Sequence, residues 1–229
     1  MNALVLLLAL SGCDGETAKV EPSAAEAAMA AIVPELKTGT LLFSRGDCLA
    51  VKIFTASPYT HVAGVVMKEG QPYVYDSMNG VGTRCLPLAE WIETQRPDTL
   101  HVYQPTEAFT PGRADLFVAQ LEEDLGRPYA IKHHLTGKRC DGRHCSEYMT
   151  DALISAKLIK ANRPPKVSPA TLREGLVSND LYAAGTTVSL KPPEPPAEKP
   201  TGWCSKLWID TKVCTKNSCI QMRRWFLCR

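Results

Sequence analysis

The chain has 229 residues, of which 45% are hydrophobic and 22% charged, and its formal net charge is +2. This is the composition of an ordinary globular protein, and the length allows one sizeable core. Because no long basic run precedes the last few residues, the charge pattern excludes nucleic acid as the expected partner.

The N-terminus carries a short apolar run, MNALVLLLALSG over residues 1–12, followed by Cys13. The run is too short to span a bilayer and ends in a small-residue cleavage signature, so it is predicted to be a signal peptide. Its last residues, LSGC, match the bacterial lipobox. This resemblance implies a lipoprotein whose lipidated Cys13 is anchored to a cell-envelope membrane, on its periplasmic or extracellular face. A plain secretory signal and a misassigned start remain alternatives, because no Lys or Arg precedes the run.

Residues 13–37 are rich in Ala and Glu and are predicted to be a tether, with room for one helical stretch, that holds the folded part away from the lipid. The functional domain, residues 38–190, is predicted to begin with a buried strand in TGTLLFSR, residues 38–45. A helix is expected next in DCLAVKIFTAS, with Asp47 as its N-cap.

The stretch YTHVAGVVMKEGQPYVYDSM, residues 59–78, predicts a β-hairpin because β-branched and aromatic residues occupy both arms. A two-residue turn at Glu69 and Gly70 fixes its register. That register brings His61 and Asp76 to one face as diagonal neighbours, roughly 7 Å apart between backbones and within side-chain reach. A slip of one residue would put them on opposite faces.

Three further elements follow in chain order. A short helix is predicted in PLAEWIETQ (87–95), a strand in LHVYQP (100–105), and an amphipathic helix ended by a glycine in GRADLFVAQLEEDLG (112–126). A polar loop of nearly twenty residues then leads to Cys145. A loop of that length is more often functional than filler.

The segment from Cys145 predicts a helix that faces the core. Its apolar or small positions are 145, 148, 149, 152, 153 and 156, which form one helical stripe. Cys145 is therefore expected in the first turn, pointing inward, where the helix dipole and unpaired N–H groups favour a thiolate. His144 is expected to point elsewhere, since adjacent helical positions do not share a face.

The C-terminal part is divided by a proline-rich linker, KPPEPPAEKP over residues 191–200, from a tail of residues 201–229. The tail holds three tryptophans and four cysteines, which are Cys204, Cys214, Cys219 and Cys228. In an exported protein this density predicts two disulfides that staple a module too small for its own core, with three connectivities open. Metal is the weaker alternative, because the spacing lacks the paired C-x2-C of zinc sites.

A nucleophilic cysteine needs a base and a third polar group that orients the base. Cys145, His61 and Asp76 supply these three roles, and the N–H of Cys145 adds a donor for an oxyanion. A disulfide between Cys140 and Cys145 is the alternative to a reactive thiol. A zinc site formed by the loop histidines and Cys140 is disfavoured, because no pair has the spacing of a known site, and no metal is expected.

The motifs SPYTHVAGVV, YVYDS, PLAEWI, GRPYAI and HCSEYMTDAL, in this order, resemble the permuted papain-like amidases of the YiiX type, within the NlpC-type cysteine peptidase superfamily. The resemblance covers residues 38 to about 160. It implies an α+β, permuted papain-like fold in which a small antiparallel sheet packs on helices. It also implies Cys145 as nucleophile, His61 as base, Asp76 as the orienting group, and no cofactor. Tyr129, in GRPY, matches a further family position and is implied to polarise the scissile carbonyl.

The reaction that the resemblance implies is acyl transfer to water through a thioester, which cleaves an amide or peptide bond. With an envelope location, peptidoglycan stem peptides are the expected substrate. Two alternatives remain open. One is a lipid or N-acyl amine substrate, because related folds act on acyl chains. The other is a catalytically silent envelope binding protein in which the Trp- and Cys-rich tail recognises the partner.

Overall fold

A computed structural model of the chain describes residues 23–45, 58–95, 97–131, 134 and 136–190, and, in the tail, residues 207, 211, 212, 215, 218 and 219. The expected signal peptide, the lipidation of Cys13, the helix at 47–57 and the proline-rich linker lie outside the described residues. Within these ranges, no helix has both the length and the apolar character needed to cross a bilayer.

The described ranges form six strands and five helices. The strands are β1 (Leu41–Arg45), β2 (Tyr59–Lys68), β3 (Gln71–Met78), β4 (Gly82–Pro87), β5 (Thr99–Pro105) and β6 (Tyr182–Ser189). The helices are α1 (Ala24–Ile32), α2 (Leu88–Gln95), α3 (Pro111–Glu123), α4 (Cys145–Ser155) and α5 (Pro169–Ser178). Two short 3-10 turns, Val33–Glu35 and Pro164–Lys166, follow α1 and precede α5.

The strands form one sheet in the order β4-β3-β2-β1-β5-β6, and every neighbouring pair is antiparallel. Alternate side chains of each strand point to opposite faces, so the sheet buries one apolar cluster on each side. Helices α3, α4 and α5 cover one face, while α1 and α2 cover the other. The α+β class, with an antiparallel sheet packed on helices, is confirmed.

Helix α4 lies close against the middle of the sheet. Its Met149 belongs to the same core cluster as Phe117 of α3 and the sheet residues Phe43 and Tyr75, and all four are fully buried. Gly64 of β2 permits this approach, because a Cβ there would lie 2.8 Å from the Met149 sulfur. The helix that begins with Cys145 is thereby fixed against the hairpin that carries His61.

The region predicted as a tether differs from expectation. From residue 24 it forms α1, and Ala28 and Ile32 are buried in the apolar cluster that also contains Leu36 and Trp91. Its apolar residues recur at helical spacing and make one stripe, which is sufficient to cover the outer face of the sheet. The packed part of the chain therefore includes residues from 24 onwards, rather than beginning at residue 38.

The β2–β3 hairpin has the predicted turn. Glu69 and Gly70 have φ angles of 50° and 79°, as a two-residue turn of type I′ requires, and Lys68 pairs with Gln71. Counted from this turn, the ladder between the two strands continues to the pair Gly64 and Tyr75. The predicted register is confirmed.

Cys219 is the one cysteine of the tail among the described residues, and its thiol is free and exposed. The other three cysteines of the tail lie outside the described residues. The prediction of two stapling disulfides has no support in the described part of the tail.

Candidate active site

Cys145 is the first residue of α4 and points into the protein, as its position in the sequence predicts. The side chain is buried, with 5% of its surface exposed, and its thiol is free rather than bonded to Cys140. The first N–H groups of a helix have no partner within the helix and give its N-terminus a partial positive charge. This charge stabilises a negatively charged sulfur at Cys145. The position suits a nucleophile.

His144 caps this helix. Its backbone is extended, with ψ at 164°, so the ring folds back over the first turn, and Nδ1 accepts a hydrogen bond from the Glu147 N–H at 3.3 Å. Nε2 donates to the carbonyl of Pro165 at 2.9 Å. The ring lies near enough to the Cys145 thiol to lower its pKa. His144 therefore does not point away from Cys145 as expected, because an N-cap residue lies outside the helix and does not follow the rule for adjacent helical positions.

His61 and Asp76 meet where β2 and β3 separate. The imidazole Nε2 lies 3.1 Å from Oδ2 of Asp76. The carboxylate is fully buried, while 13% of the His61 side chain is exposed. Because a carboxylate only accepts, Nε2 carries the proton of this hydrogen bond, and Nδ1 is left for a second partner. The hairpin register thus brings together the two residues that the sequence pairs.

On its other side, His61 lies close enough to the Cys145 thiol for each group to shift the pKa of the other. Burial opposes ionisation of the thiol, but the interactions with His61 and His144 outweigh it and lower the pKa of Cys145 from 9.0 to about 6. Burial likewise opposes the imidazolium, but the Cys145 thiolate and Asp76 raise the pKa of His61 to about 10. Thiolate and imidazolium therefore coexist at neutral pH.

Asp76 accepts hydrogen bonds from three further side chains that the sequence did not single out. Arg84 donates from Nε to Oδ1 at 2.8 Å, and Trp91 and Gln95 each donate to Oδ2 at 2.8 Å. The Trp91 ring also stacks on His61, with centroids 6.4 Å apart. Burial opposes the carboxylate charge, but the His61 and Arg84 interactions prevail and hold the pKa of Asp76 well below its usual range.

A signal for Arg84 was present in the sequence. In the β3–β4 hairpin, Asp76 is paired directly with Arg84, so opposite charges face each other across neighbouring strands. A hairpin predicted with its turn around Gly80 would have placed Asp76 opposite Arg84. Trp91 and Gln95 lie four residues apart on α2, so they share a helix face, but nothing local indicates which strand that face covers.

Tyr129 is held beside the helix start by the backbone of its loop. It forms an isolated parallel bridge with Arg143, whose N–H donates to Pro128 O at 3.0 Å. On the other side, Ser77 of β3 donates to Arg143 O at 2.7 Å. Burial and the nearby Cys145 thiolate raise the pKa of Tyr129, which therefore remains a neutral phenol that can donate a hydrogen bond.

Two glycines allow this loop to pack closely. A Cβ on Gly82 would lie 2.2 Å from Arg127 O, and Gly82 has a φ of +95° that side chains rarely adopt. A Cβ on Gly142 would lie 2.5 Å from Pro128 O and from the Ala130 side chain. The loop that carries Tyr129 is thus enclosed between β4 and the segment before Cys145.

The loop histidines are arranged around a carbonyl group. His134 packs edge-on against His144 at 5.3 Å, and its Nδ1 lies 3.2 Å from the Pro165 oxygen that His144 also contacts. His133 lies outside the described residues. In the part of the chain that the structure describes, no three His, Cys, Asp or Glu side chains are grouped so that they could hold a metal ion.

Comparison with known proteins adds a family. The family model described as permuted papain-like amidase enzyme, YaeF/YiiX, C92 family, matches residues 35–191. Among solved structures, the chain is similar to a crystal structure described as the metalloprotein yiiX from Escherichia coli O157:H7, with 20% identity and a TM-score of 0.47. That similarity covers 67% of this chain and 88% of the other. No curated protein matches the chain.

Proposed function

The chain belongs to the permuted papain-like amidase family, YaeF/YiiX, C92, and we propose that it hydrolyses an amide or peptide bond through a thioester on Cys145. The observation that carries this proposal is that His61, whose Nε2 lies 3.1 Å from the buried Asp76 carboxylate, is close enough to the buried Cys145 thiol for the two groups to shift each other's pKa. These are the three groups that a thiol hydrolase requires.

In the first step, the Cys145 thiolate attacks the carbonyl carbon and forms a C–S bond. His61 already carries the thiol proton, since the pKa values of the two groups favour the ion pair. Asp76 holds Nε2, so Nδ1 faces the sulfur and the leaving amine. Transfer of that proton to the amine breaks the C–N bond and leaves an acyl group on Cys145.

The negative charge that develops on the carbonyl oxygen needs donors near the sulfur. The N–H of Cys145 lies at the start of α4, where N–H groups have no partner within the helix. The neutral phenol of Tyr129 lies near enough to Cys145 for the thiolate charge to raise the phenol's pKa. We assign these two groups to the oxyanion.

The second step uses water. Neutral His61 removes a proton from the water as its oxygen attacks the thioester carbonyl. The C–S bond then breaks, the carboxylic acid leaves, and the thiolate and imidazolium are restored. Atoms balance over the cycle, because one water is consumed for each amide bond cleaved.

For the substrate, we propose stem peptides of peptidoglycan and, for the location, the cell envelope with an anchor at Cys13. The support is the lipobox-like LSGC at the end of the apolar run. A lipid anchor would hold the domain near the polymer. Metabolic labelling with a palmitate analogue tests the anchor, because label present in the natural sequence and absent from Cys13→Ala supports it, and unlabelled protein contradicts it.

The activity itself is tested with purified stem peptides, N-acyl amines and a neutral dipeptide amide, each followed by mass spectrometry. We expect turnover by the natural sequence, none by Cys145→Ala, and unchanged turnover by the control variant Cys219→Ala, whose thiol is exposed outside the site. Rapid quenching should trap an acyl group on the peptide that contains Cys145. Persistent turnover by Cys145→Ala would show that another group is the nucleophile.

A further inference from the structure

The carboxylate of Asp76 is bound to a charged residue as well as to His61. Arg84 donates from Nε to Oδ1 at 2.8 Å and from a terminal nitrogen to Oδ2 at 3.3 Å. Trp91 and Gln95 are uncharged donors to the same carboxylate. A guanidinium keeps its charge throughout the pH range of proteins, so Arg84 is a permanent cation behind the orienting group.

The four groups form a row of alternating charges, from the Cys145 thiolate through His61 and Asp76 to Arg84. Asp76 is fully buried and Arg84 is 16% exposed, so solvent screens this row only weakly. A charge at one end therefore acts on the protonation of groups further along. This reasoning rests on the proposed function of Cys145 and His61.

We propose that Arg84 is a positioning residue that acts on His61 through Asp76. Its two-point contact fixes the plane of the carboxylate, and its charge offsets that of Asp76. Without this offset, the buried carboxylate would hold the imidazolium too firmly for it to protonate the leaving amine. Arg84 thereby allows Asp76 to orient the His61 ring without raising the His61 pKa so far that the imidazolium no longer gives its proton to the leaving amine.

Several ionisable side chains act on this row from the elements packed around it. They include Asp76 on β3, Arg84 on β4, Cys145 and Tyr148 on α4, His144 before α4 and Tyr129 in the preceding loop. Helix α2 contributes Trp91 and Gln95, both neutral. Among these groups, Arg84 is the one whose positive charge does not depend on pH.

The test is an NMR titration of the His61 imidazole in a Cys145→Ala background, where the coupled thiolate is absent. Arg84→Gln should raise the His61 midpoint by about one pH unit, and Arg84→Lys should restore most of the original value. Lys68→Gln is the matched control, because Lys68 lies on the β2–β3 hairpin and its ion pair is with Glu122 of α3 rather than with Asp76. It should leave the midpoint unchanged.

Arg84→Gln leaves a buried carboxylate without its cation, which can prevent folding. The comparison is therefore repeated with Asp76→Asn and with Asp76→Asn combined with Arg84→Gln, where no unpaired carboxylate remains. Because Arg84 acts through the Asp76 carboxylate, its replacement in the Asp76→Asn background should change the His61 midpoint much less than it does with Asp76 present. A rise of the same size in both backgrounds, no rise with Asp76 present, or equal shifts for Arg84→Gln and Arg84→Lys would overturn the proposal.

The same variants separate this inference from the proposed function. With Cys145 present, iodoacetamide labelling of the natural sequence tests the thiol–imidazole pair itself. Ordinary labelling of Cys145 combined with a shifted His61 midpoint would contradict the enzyme and keep the electrostatic role of Arg84. Fast labelling combined with unshifted midpoints would contradict only the role of Arg84.

Discussion

The side chains of Asp76 and His61 meet at 3.1 Å although the hydrogen-bonded ladder between their strands ends before it reaches either residue. The last pair is Gly64 with Tyr75. Beyond it, His61 is paired with Ser44 of β1, and Asp76 with Arg84 of β4. The backbone of His61 is therefore held by β1 and that of Asp76 by β4. At the site, the two side chains connect β2 with β3.

The first prediction concerns the reactivity of Cys145. Because its pKa is lowered to about 6, iodoacetamide should label it quickly at pH 7, and the rate should fall as the pH drops below about 6 and the sulfur takes up a proton. In His61→Ala, the thiolate loses its counter-charge, and labelling at pH 7 should slow by at least about tenfold. Mass spectrometry of the digest measures this rate.

Cys219, which is exposed and free, provides a reference thiol in the same sample. Its rate should not change in His61→Ala. If the two cysteines respond to pH in the same way, or if His61→Ala leaves the Cys145 rate unchanged, no activated pair is present in the protein.

The second prediction concerns Asp76. In Asp76→Asn the side chain keeps its shape but loses the negative charge that holds the His61 imidazolium, and its amide can turn an N–H towards Nε2. Turnover should fall on the order of a hundredfold with little change in KM, because orientation and charge act on the chemical step. Asp115→Asn, an exposed position on α3, is the matched control. Full activity of Asp76→Asn would exclude Asp76 as the orienting group.

The hairpin and the helix start could be predicted because each depends on local patterns. A turn with Glu69 and Gly70 fixes the β2–β3 register, and the register fixes which face His61 and Asp76 share. The stripe that begins at Cys145 likewise determines the helix and the inward direction of its first residue. Neither pattern predicts that the hairpin and the start of the helix lie next to each other. That prediction came from the family resemblance.

The residues that were missed act across elements distant in sequence. Trp91 and Gln95 reach Asp76 only because α2 folds back over β3, and Pro165 reaches His144 only through the turn that precedes α5. The sequence predicts a tether where α1 lies, because its alanines resemble a spacer as closely as a covering helix. Its assignment required the apolar outer face of the sheet, which the segment itself does not reveal.

The third prediction concerns the cap of the nucleophile helix. Replacement of His144 by Ala removes the acceptor for the Glu147 N–H, whereas Asn restores an acceptor at the N-cap. Both variants lose the hydrogen bond to Pro165. The free energy of unfolding in urea should therefore be about 1 kcal/mol lower for His144→Ala than for His144→Asn. Equal values would mean that the ring stabilises the fold by burial rather than as a cap.

The last prediction concerns the loop that carries Tyr129. Gly82→Ala places a Cβ 2.2 Å from Arg127 O and forces a non-glycine residue into a φ of +95°, so the loop must move away from β4. Stability should decrease by about 1 to 3 kcal/mol, and kcat should fall because the Tyr129 phenol moves away from the oxyanion.

Gly112→Ala is the matched control, because a Cβ there meets no atom within 4 Å. Urea unfolding and turnover are measured for both variants together with Tyr129→Phe. Gly82→Ala could lose stability and still keep the kcat of the natural sequence, while Tyr129→Phe has a lower kcat. That result would contradict the prediction, because the position of the Tyr129 phenol would then not depend on the packing of its loop against β4. If Tyr129→Phe also keeps full kcat, Tyr129 has no part in the oxyanion site, and the N–H of Cys145 must be supported by another donor.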